Sequence, residues 1–254
     1  METIARKEYL DFLIRAKGKQ IIKVVSGVRR CGKSTLLEIY RAYLQTHGVS
    51  PKQIVAYNFE DAEYENLQTY QKLYTAIKKR LLPNKMNYVF LDEIQHVAQF
   101  EKAVDSLFIR KNVDLYITGS NAWFMSGELA TLLSGRYVEL KMLPLSFAEY
   151  CAGKSKLSAD NLSTNTRYLA YLQESSFPYT LQLAGHQKDI TAYLRALYDS
   201  VLLKDIVARQ KISDVMMLES IVKFVFHNIG SPLSATKIAN TMKSNGRKID
   251  PKTV

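Results

Sequence analysis

Short apolar runs alternate with longer amphipathic stretches along the first 150 residues of the chain. Five runs are rich in β-branched and aromatic residues, which favours strands. Strands that alternate with helices predict an α/β fold, in which helices cover both faces of a parallel sheet. The predicted strands are IIKVVSG (21–27), QIVAYNF (53–59), NYVFLDE (87–93), VDLYITGSN (113–121) and the end of SGRYVELKML (134–143).

Helical spacing of apolar residues fills the intervals between these strands and continues beyond them. It predicts helices over residues 33–48, 67–82, 96–111 and 122–134. After residue 150 a stretch rich in Ser, Asn and Lys predicts an exposed linker, and the patterns that follow are helical. We therefore expect a first domain over residues 1–150, a linker over 151–166, a helical region over 167–226 and the start of another module over 227–254.

The stretch VVSGVRRCGKSTLL (24–37) interrupts an apolar run with glycines and cations. It contains the P-loop spacing Gly27-x-x-x-x-Gly32-Lys33-Ser34 between a predicted strand and a predicted helix. Glycine lets successive N–H groups turn toward a phosphate at the N-terminus of that helix, Lys33 would reach the β- and γ-phosphates, and Ser34 would bind Mg²⁺. The competing interpretation is an ordinary glycine-rich turn. The predicted ATP-binding residues are Gly27, Val28, Arg29, Arg30, Cys31, Gly32, Lys33, Ser34 and Thr35, although the side chains of Arg29 and Arg30 often point away from nucleotide at such positions.

Two acidic residues end the third predicted strand. Asp92 and Glu93 follow four apolar residues in YVFLDE, as in a Walker B strand, where ligands bind beyond the carboxyl ends of parallel strands. We expect Asp92 to hold Mg²⁺, through water, and Glu93 to act as general base toward the attacking water. Two exposed acids at a strand end are the plainer interpretation when the P-loop is left aside.

Polar residues also follow the fourth predicted strand, in the stretch TGSN. Ser120 and Asn121 are candidates for a sensor that lies beside the γ-phosphate and orients water. A turn that requires Gly119 and polar neighbours would explain the same residues. Arg136, before the fifth strand, is either a surface ion-pair partner or an arginine that stabilises phosphoryl transfer, in its own chain or in a neighbouring subunit.

Composition adds limits on location and partners. The two cysteines, Cys31 and Cys151, lack metal-binding spacing and fit a reducing cytoplasm, and neither a signal peptide nor a membrane-spanning run is visible. The net charge of +11 is spread over both halves of the chain, so it leaves nucleic-acid contact open.

Taken together, SGVRRCGKSTLL, YVFLDEIQ, LYITGSN, LLSGRY and LPLSFAEY resemble the AAA-superfamily ATPases of bacteria and archaea whose C-terminal region is a domain of unknown function. The resemblance is strong over residues 5–150 and weaker beyond. It implies the sheet order 5-1-4-3-2, supports Glu93 as a catalytic residue, and places Arg136 where such proteins carry an arginine finger. Self-association is therefore an open expectation.

The C-terminal stretch IGSPLSATKIANTMKSNGRKIDPKTV is typical of the start of a winged helix-turn-helix. Ser234 would cap the first helix, Ile238, Ala239 and Met242 would face inward, and Pro251 would open a recognition helix. Related proteins continue further, so we expect a truncated chain with an incomplete DNA-reading element. A helix pair used for packing or protein contact is an equal interpretation.

The sequence thus predicts an Mg²⁺-dependent ATPase that drives a conformational switch in an attached helical or winged-helix module. A P-loop kinase and a nucleotide-gated DNA-binding regulator with little hydrolysis are the other candidates. The Asp92–Glu93 pair argues against the kinase, because a glutamate at that place activates water rather than an acceptor hydroxyl.

Overall fold

A computed structural model describes residues 4–120, 133, 135–157, 162–183, 185–201, 206–207, 212–244, 246 and 249–250. The chain forms two compact units, which divide between Leu194 and Arg195. The helix predicted over 122–134, Asn121 and the recognition helix expected from Pro251 lie outside the described residues, apart from Leu133.

The larger unit is built on a five-stranded parallel sheet with the order β2-β3-β4-β1-β5. Read in the other direction, this is the predicted order 5-1-4-3-2, so the expected P-loop α/β fold is confirmed. β1, β3 and β4 are buried along their whole length, as interior strands of a parallel sheet should be. The strands are β1 (Ile22–Gly27), β2 (Ile54–Asn58), β3 (Asn87–Asp92), β4 (Val113–Ser120) and β5 (Tyr137–Met142).

Helices of the larger unit cover both faces of its sheet. The described helices are α1 (Lys7–Ala16), α2 (Lys33–Thr46), α3 (Tyr70–Arg80), α4 (Phe100–Phe108), α5 (Phe147–Leu157), α6 (Thr164–Glu174), α7 (Gln187–Ser200), α8 (Val215–His227) and α9 (Ala235–Ser244). Short 3₁₀ turns precede β2 and α3, follow β3, and lie between α6 and α7.

Two apolar cores, one on each face, hold the helices to the sheet. On one face Val24, Val89 and Ile117 pack with residues of α3 and α4. On the other face Val25 and Phe90 pack with residues of α1 and α2. Side chains alternate along each strand between the two cores. This packing fixes the position at which each strand ends, and the candidate site lies at the carboxyl ends of the strands.

The predicted start of one helix was wrong. The helix predicted over 96–111 begins only at Phe100, because Gln99 has a φ of 55° and the chain before it forms a 3₁₀ turn over Ile94–His96. The linker predicted over 151–166 is helical in α5 and in the first turn of α6, with Ser163 as the N-cap of α6.

The smaller unit contains α8 and α9, which share an apolar cluster. Ser234 Oγ accepts a hydrogen bond from the Lys237 N–H at the start of α9, and Ile238, Ala239 and Met242 are buried. These are the residues that the sequence placed at the cap and on the inner face. Within the described ranges, no helix combines the length and apolar character that a membrane crossing needs.

Candidate functional site

The loop between β1 and α2 forms the predicted phosphate-binding turn. A Cβ atom at Gly27 would lie 2.5 Å from the carbonyl oxygen of Met142 and 2.7 Å from the sulfur of Cys31, so only glycine fits there. Gly32 has a φ of 101° and directly precedes the first helical residue, Lys33. Both signature glycines are therefore required by the backbone, one for space and one for conformation.

Lys33 extends back over the loop that precedes it. Its ammonium group donates to the carbonyl oxygens of Gly27, at 3.3 Å, and Val28, at 3.4 Å, and lies 3.3 Å from Glu93 Oε1. Lys33 is only 4% exposed. The ammonium group of Lys33 is therefore in contact with Glu93, the residue after β3. The two predicted parts of the site, the P-loop and the acidic end of β3, lie next to each other.

Asp92 ends β3 among hydroxyl groups. Thr118 donates a short hydrogen bond to Asp92 Oδ1, and the Ser34 hydroxyl also hydrogen-bonds the Asp92 carboxyl group. Burial raises the pKa of this carboxyl group, and the two hydroxyl bonds act in the opposite direction. A neighbouring cation would stabilise the charged form that burial disfavours.

Ser34 and Asp92 fit Mg²⁺. The hydroxyl and carboxylate oxygens are hard donors of the kind that Mg²⁺ prefers, and the hydrogen bond between them places both within reach of one ion. Asn58 lies opposite Asp92 in the parallel register of β2 and β3 and adds a further polar side chain to this edge. The sequence had not indicated Asn58.

Glu93 has a strained backbone that its neighbours hold in place. Its φ is 52°, in the left-handed region that non-glycine residues seldom adopt, and its N–H donates to Thr118 Oγ1 at 2.9 Å. Gln95 donates to Glu93 Oε2, while Lys33 contacts the other carboxylate oxygen. The carboxylate is thereby aimed toward the P-loop rather than along the strand direction.

Ser120 ends β4 beside the P-loop. It lies opposite Gly27 in the parallel register of β1 and β4 and is 2% exposed. Its Oγ is buried and has no hydrogen-bond partner among the residues that the structure describes. A buried hydroxyl without a partner costs free energy, so a ligand atom beside the P-loop could supply the missing partner of Ser120.

The other residues of the predicted loop have separate surroundings. Arg29 contacts Glu60 at 3.5 Å, and one oxygen of Glu60 lies within 4.8 Å of ligand atoms of Glu93 and His96. Arg30 is exposed with a φ of 61°, and Thr35 is exposed at the start of α2. Cys31 is fully buried, and burial raises the pKa of its thiol.

Arg136 lies away from this site. Its backbone carbonyl accepts a hydrogen bond from the N–H of Ile22, at the first residue of β1, whereas the P-loop begins at the last residue of β1. The five residue steps from Ile22 to Gly27 span about 17 Å. The Arg136 guanidinium is half-exposed and lies 3.5 Å from Asp105. It does not reach the nucleotide site of its own chain.

Thr118 lies in the centre of the candidate site, although the sequence analysis did not identify it. It contacts both acidic residues, since it donates to Asp92 and accepts from Glu93. Its position two residues before Ser120 places both hydroxyls on one face of β4. The alternation in ITGS was the available signal, but it becomes informative only once β3 and β4 are known to be neighbours.

Comparisons with known proteins agree with this geometry. A family model described as an AAA domain matches residues 19–151. An uncharacterized protein of Haemophilus influenzae is 40% identical over 95% of this chain and 60% of its own length, and one of Methanocaldococcus jannaschii is 29% identical over 90% of this chain and 51% of its length. The chain thus spans little more than half of these relatives.

Among solved structures, a Walker-type ATPase of Pyrococcus abyssi superposes with a TM-score of 0.63, covering 99% of this chain and 87% of that one at 16% identity. At that identity the likeness concerns the fold. The match of the family model, the glycine loop with Lys33 and the acidic end of β3 all lead to the same assignment: the chain belongs to the AAA domain family.

Proposed function

We propose that this protein binds ATP with Mg²⁺ and hydrolyses it. The observation that carries the proposal is that the start of α2 meets the acidic end of β3 beside the glycine loop: Lys33 lies 3.3 Å from Glu93, and Ser34 hydrogen-bonds Asp92. Family membership supports nucleotide binding, and the acid pair supports hydrolysis.

Each residue of the site has a role in this proposal. Lys33 and the N–H groups of the loop bind the phosphates, Ser34 and Asp92 hold Mg²⁺, which supplies positive charge to the phosphate oxygens, and Glu93 accepts a proton from the attacking water. Ser120 donates its free hydroxyl to the γ-phosphate or to that water. Thr118 keeps both acids in place.

Two broader features complete the proposal. Arg136 acts on the site of a neighbouring copy, because it does not reach the site in its own chain. Hydrolysis alters the helical region that follows the sheet, since β5 leads through Leu143–Ser146 directly into α5. The free thiols of Cys31 and Cys151 support a cytoplasmic location.

A nucleotide-gated DNA-binding regulator is the second candidate. The observation in its favour is α9, which has a capped start, an apolar inner face and exposed lysines at 237 and 243. The helix that would read DNA lies outside the described residues. The kinase is less favoured in this proposal, because a glutamate in the role proposed for Glu93 activates water rather than an acceptor hydroxyl.

A pair of variants tests the proposed hydrolysis. Glu93→Gln should keep ATP and Mg²⁺ bound while turnover falls by about 10²–10⁴-fold, because the amide keeps the shape but does not accept a proton. Lys33→Ala should instead lose nucleotide binding, since it removes the buried cation of the loop. Equilibrium binding of a fluorescent ATP analogue and phosphate release measure the two effects.

Circular dichroism on both variants would establish that the fold is intact. Wild-type ATP affinity in folded Lys33→Ala would contradict the assignment of the P-loop. Wild-type turnover in Glu93→Gln would leave the nucleotide site standing but remove Glu93 from the role of base.

A further inference from the structure

Arg6, which no sequence motif indicated, is buried against the P-loop. The residue is 4% exposed, and its guanidinium donates to the carbonyl oxygen of Cys31 at 3.1 Å. It donates as well to the carbonyl oxygens of Leu143, at 2.6 Å, and Pro144, at 3.3 Å. Its Nε donates to Glu149 Oε1 at 2.8 Å. One side chain thus joins the phosphate loop to the segment that follows β5.

The bond to Cys31 bears on phosphate binding through the geometry of the peptide group. In a trans peptide the C=O and N–H point in opposite directions. Arg6 holds the Cys31 carbonyl on the outer side of the loop, so the N–H of Gly32 in the same peptide is directed toward the inner side. That N–H belongs to the set that would receive a phosphate at the start of α2.

The orientation of the Cys31–Gly32 peptide depends on such contacts, because the lack of a side chain leaves glycine with few conformational restrictions. Glycine adopts a φ of 101° readily, as Gly32 does here. It also loses more conformational freedom than any other residue when its backbone becomes ordered. Arg6 Nη1 lies 3.9 Å from the position of a Cβ on Gly32, with Met142 and Pro178 on the same side. The outer wall of the loop is therefore made of Arg6 and two apolar side chains.

The other hydrogen bonds of Arg6 hold the connection between β5 and α5. Glu149 also accepts from the N–H of Ser146, at 2.9 Å, while Ser146 Oγ accepts from the N–H of Glu149, at 3.3 Å. This reciprocal pair is a capping box at the start of α5. Tyr9, whose ring lies 4.7 Å from the Arg6 guanidinium, accepts from the N–H of Leu143.

We propose that Arg6 is a positioning residue for nucleotide binding, which orders the Cys31–Gly32 peptide and links the P-loop to the first turn of α5. The inference rests on the proposed nucleotide-binding function and adds a residue and a route to it. The segment LPLSFAEY thereby gains a physical role, because two of its carbonyls and its glutamate are the partners of Arg6.

Arginine suits this role because its planar group presents five N–H donors in a fixed fork. Four acceptors from two separate segments use that fork here. A lysine can keep the ion pair with Glu149, but its single ammonium group cannot reach both that carboxylate and the Cys31 carbonyl in the same geometry. Arg6→Lys therefore keeps the positive charge of Arg6 and removes its planar group of donors, so the two contributions are tested separately.

The test compares nucleotide affinity in Arg6→Lys and in a matched control. Arg110→Lys is the control, because Arg110 likewise lies over a tyrosine ring and donates to a side chain, Tyr74, but belongs to the other face of the sheet. Fluorescence anisotropy with a labelled ADP gives the dissociation constant, steady-state kinetics give kcat and KM, and urea unfolding gives stability.

We expect Arg6→Lys to raise the dissociation constant and KM about tenfold, while kcat changes much less. A loop N–H binds phosphate in both the ground state and the transition state, so its loss weakens uniform binding. Arg110→Lys should leave affinity unchanged at a similar stability. Glu149→Gln should raise the dissociation constant by a smaller factor, and the double variant should show less than the product of the two effects, since both act on one network.

Three outcomes separate the hypotheses. Tight nucleotide binding by wild type with the same affinity in folded Arg6→Lys would overturn the role of Arg6 and leave the proposed function intact. Failure of wild type itself to bind nucleotide would overturn the function. If Arg6→Lys does not fold, Glu149→Gln decides, because unchanged affinity in that variant would break the link to α5.

Discussion

Ser120 and Thr118 project from the same face of β4, but their hydroxyl groups have opposite surroundings. Thr118 donates to Asp92 and accepts from the N–H of Glu93, whereas Ser120 Oγ has no partner within the described part of the chain. A partnered hydroxyl stabilises the fold, and a buried one without a partner destabilises it. Removal of the Thr118 hydroxyl should therefore destabilise the fold, whereas removal of the Ser120 hydroxyl should not.

Replacement of Ser120 by alanine should separate stability from activity. The free energy of unfolding should stay the same or rise by about 1 kcal/mol, because the unpaired hydroxyl is removed. ATP turnover should fall if that hydroxyl contacts the γ-phosphate or the attacking water. Urea unfolding and phosphate release measure the two quantities on one preparation.

Thr118→Val is the matched control, since it keeps the shape and removes a hydroxyl with two partners. It should lose both stability and turnover. Full turnover in Ser120→Ala would show that the Ser120 hydroxyl has no part in hydrolysis, and a large loss of stability would show that it has a structural partner.

Local patterns in the sequence were sufficient to predict the site residues whose positions depend on residues close to them along the chain. The glycine loop, Lys33 and the acidic end of β3 follow fixed spacings, so their meeting was predictable. Arg6 was not, because its acceptors lie 25 to 143 residues away along the chain. Contacts at such separations depend on packing, which no local pattern encodes.

At the scale of the elements, apolar runs in the sequence predicted the five strands, whereas their order was implied by the resemblance to AAA-superfamily ATPases. The starts of helices were harder to predict from the sequence. Gln99 has a left-handed backbone conformation just before α4, but because it is not a glycine the sequence does not indicate a turn there. A buried charge was also hidden inside an apolar strand. Lys23 of β1 is fully buried and pairs with Asp114 of β4 at the end of the sheet opposite the P-loop.

This ion pair holds that end of the sheet together. Asp114 also accepts from the N–H of Gly18, at 2.7 Å, and from the Tyr116 hydroxyl, at 2.9 Å. Tyr116 in turn hydrogen-bonds Tyr40 of α2. The network connects two strands, the turn after α1 and the middle of α2, the helix that begins with Lys33.

Asp114→Asn should lower the free energy of unfolding by about 3–5 kcal/mol, because it leaves the Lys23 ammonium buried without its partner. Burial already lowers the pKa of Lys23, and loss of Asp114 lowers it further. The unfolded chain then binds more protons than the folded one as the pH rises toward the ordinary lysine pKa of about 10.4, so stability increases in that range.

Urea unfolding of Asp114→Asn from pH 7 to pH 10 measures this, with nucleotide affinity as a second readout. Affinity should be preserved in the folded fraction, because the pair lies a full strand length from the P-loop. If the difference in free energy of unfolding between wild type and Asp114→Asn stays constant or grows with pH, the effect does not come from Lys23.

At the scale of the whole molecule, Arg136 raises the question of assembly. Its guanidinium lies over the ring of Phe108 at 5.7 Å and next to Asp105, at the end of the sheet opposite the P-loop. Ile109, which follows Phe108, is 73% exposed. An arginine and an exposed apolar residue on one surface, both far from the site of their own chain, are consistent with contact to another copy.

If Arg136 completes the site of a neighbouring copy, isolated chains should hydrolyse ATP slowly and turnover per chain should rise with protein concentration. Arg136→Ala should lower turnover by roughly 10³–10⁵-fold, the contribution of an arginine that stabilises charge on the transferring phosphoryl group. Arg80→Ala is the matched control, because Arg80 is also exposed and lies 5.7 Å from an aromatic ring, that of Tyr57. It should keep wild-type turnover.

Mixing two inactive variants gives the decisive result. Arg136→Ala chains have an intact Lys33 and Glu93, and Glu93→Gln chains retain Arg136, so an interface between them joins a working site to a working arginine. Activity should therefore return on mixing, although each variant alone is nearly inactive. Sedimentation velocity must show that the chains associate. If they associate, and turnover is neither restored by mixing nor dependent on concentration, then Arg136 has a structural role in its own chain, through its contacts with Asp105 and Phe108.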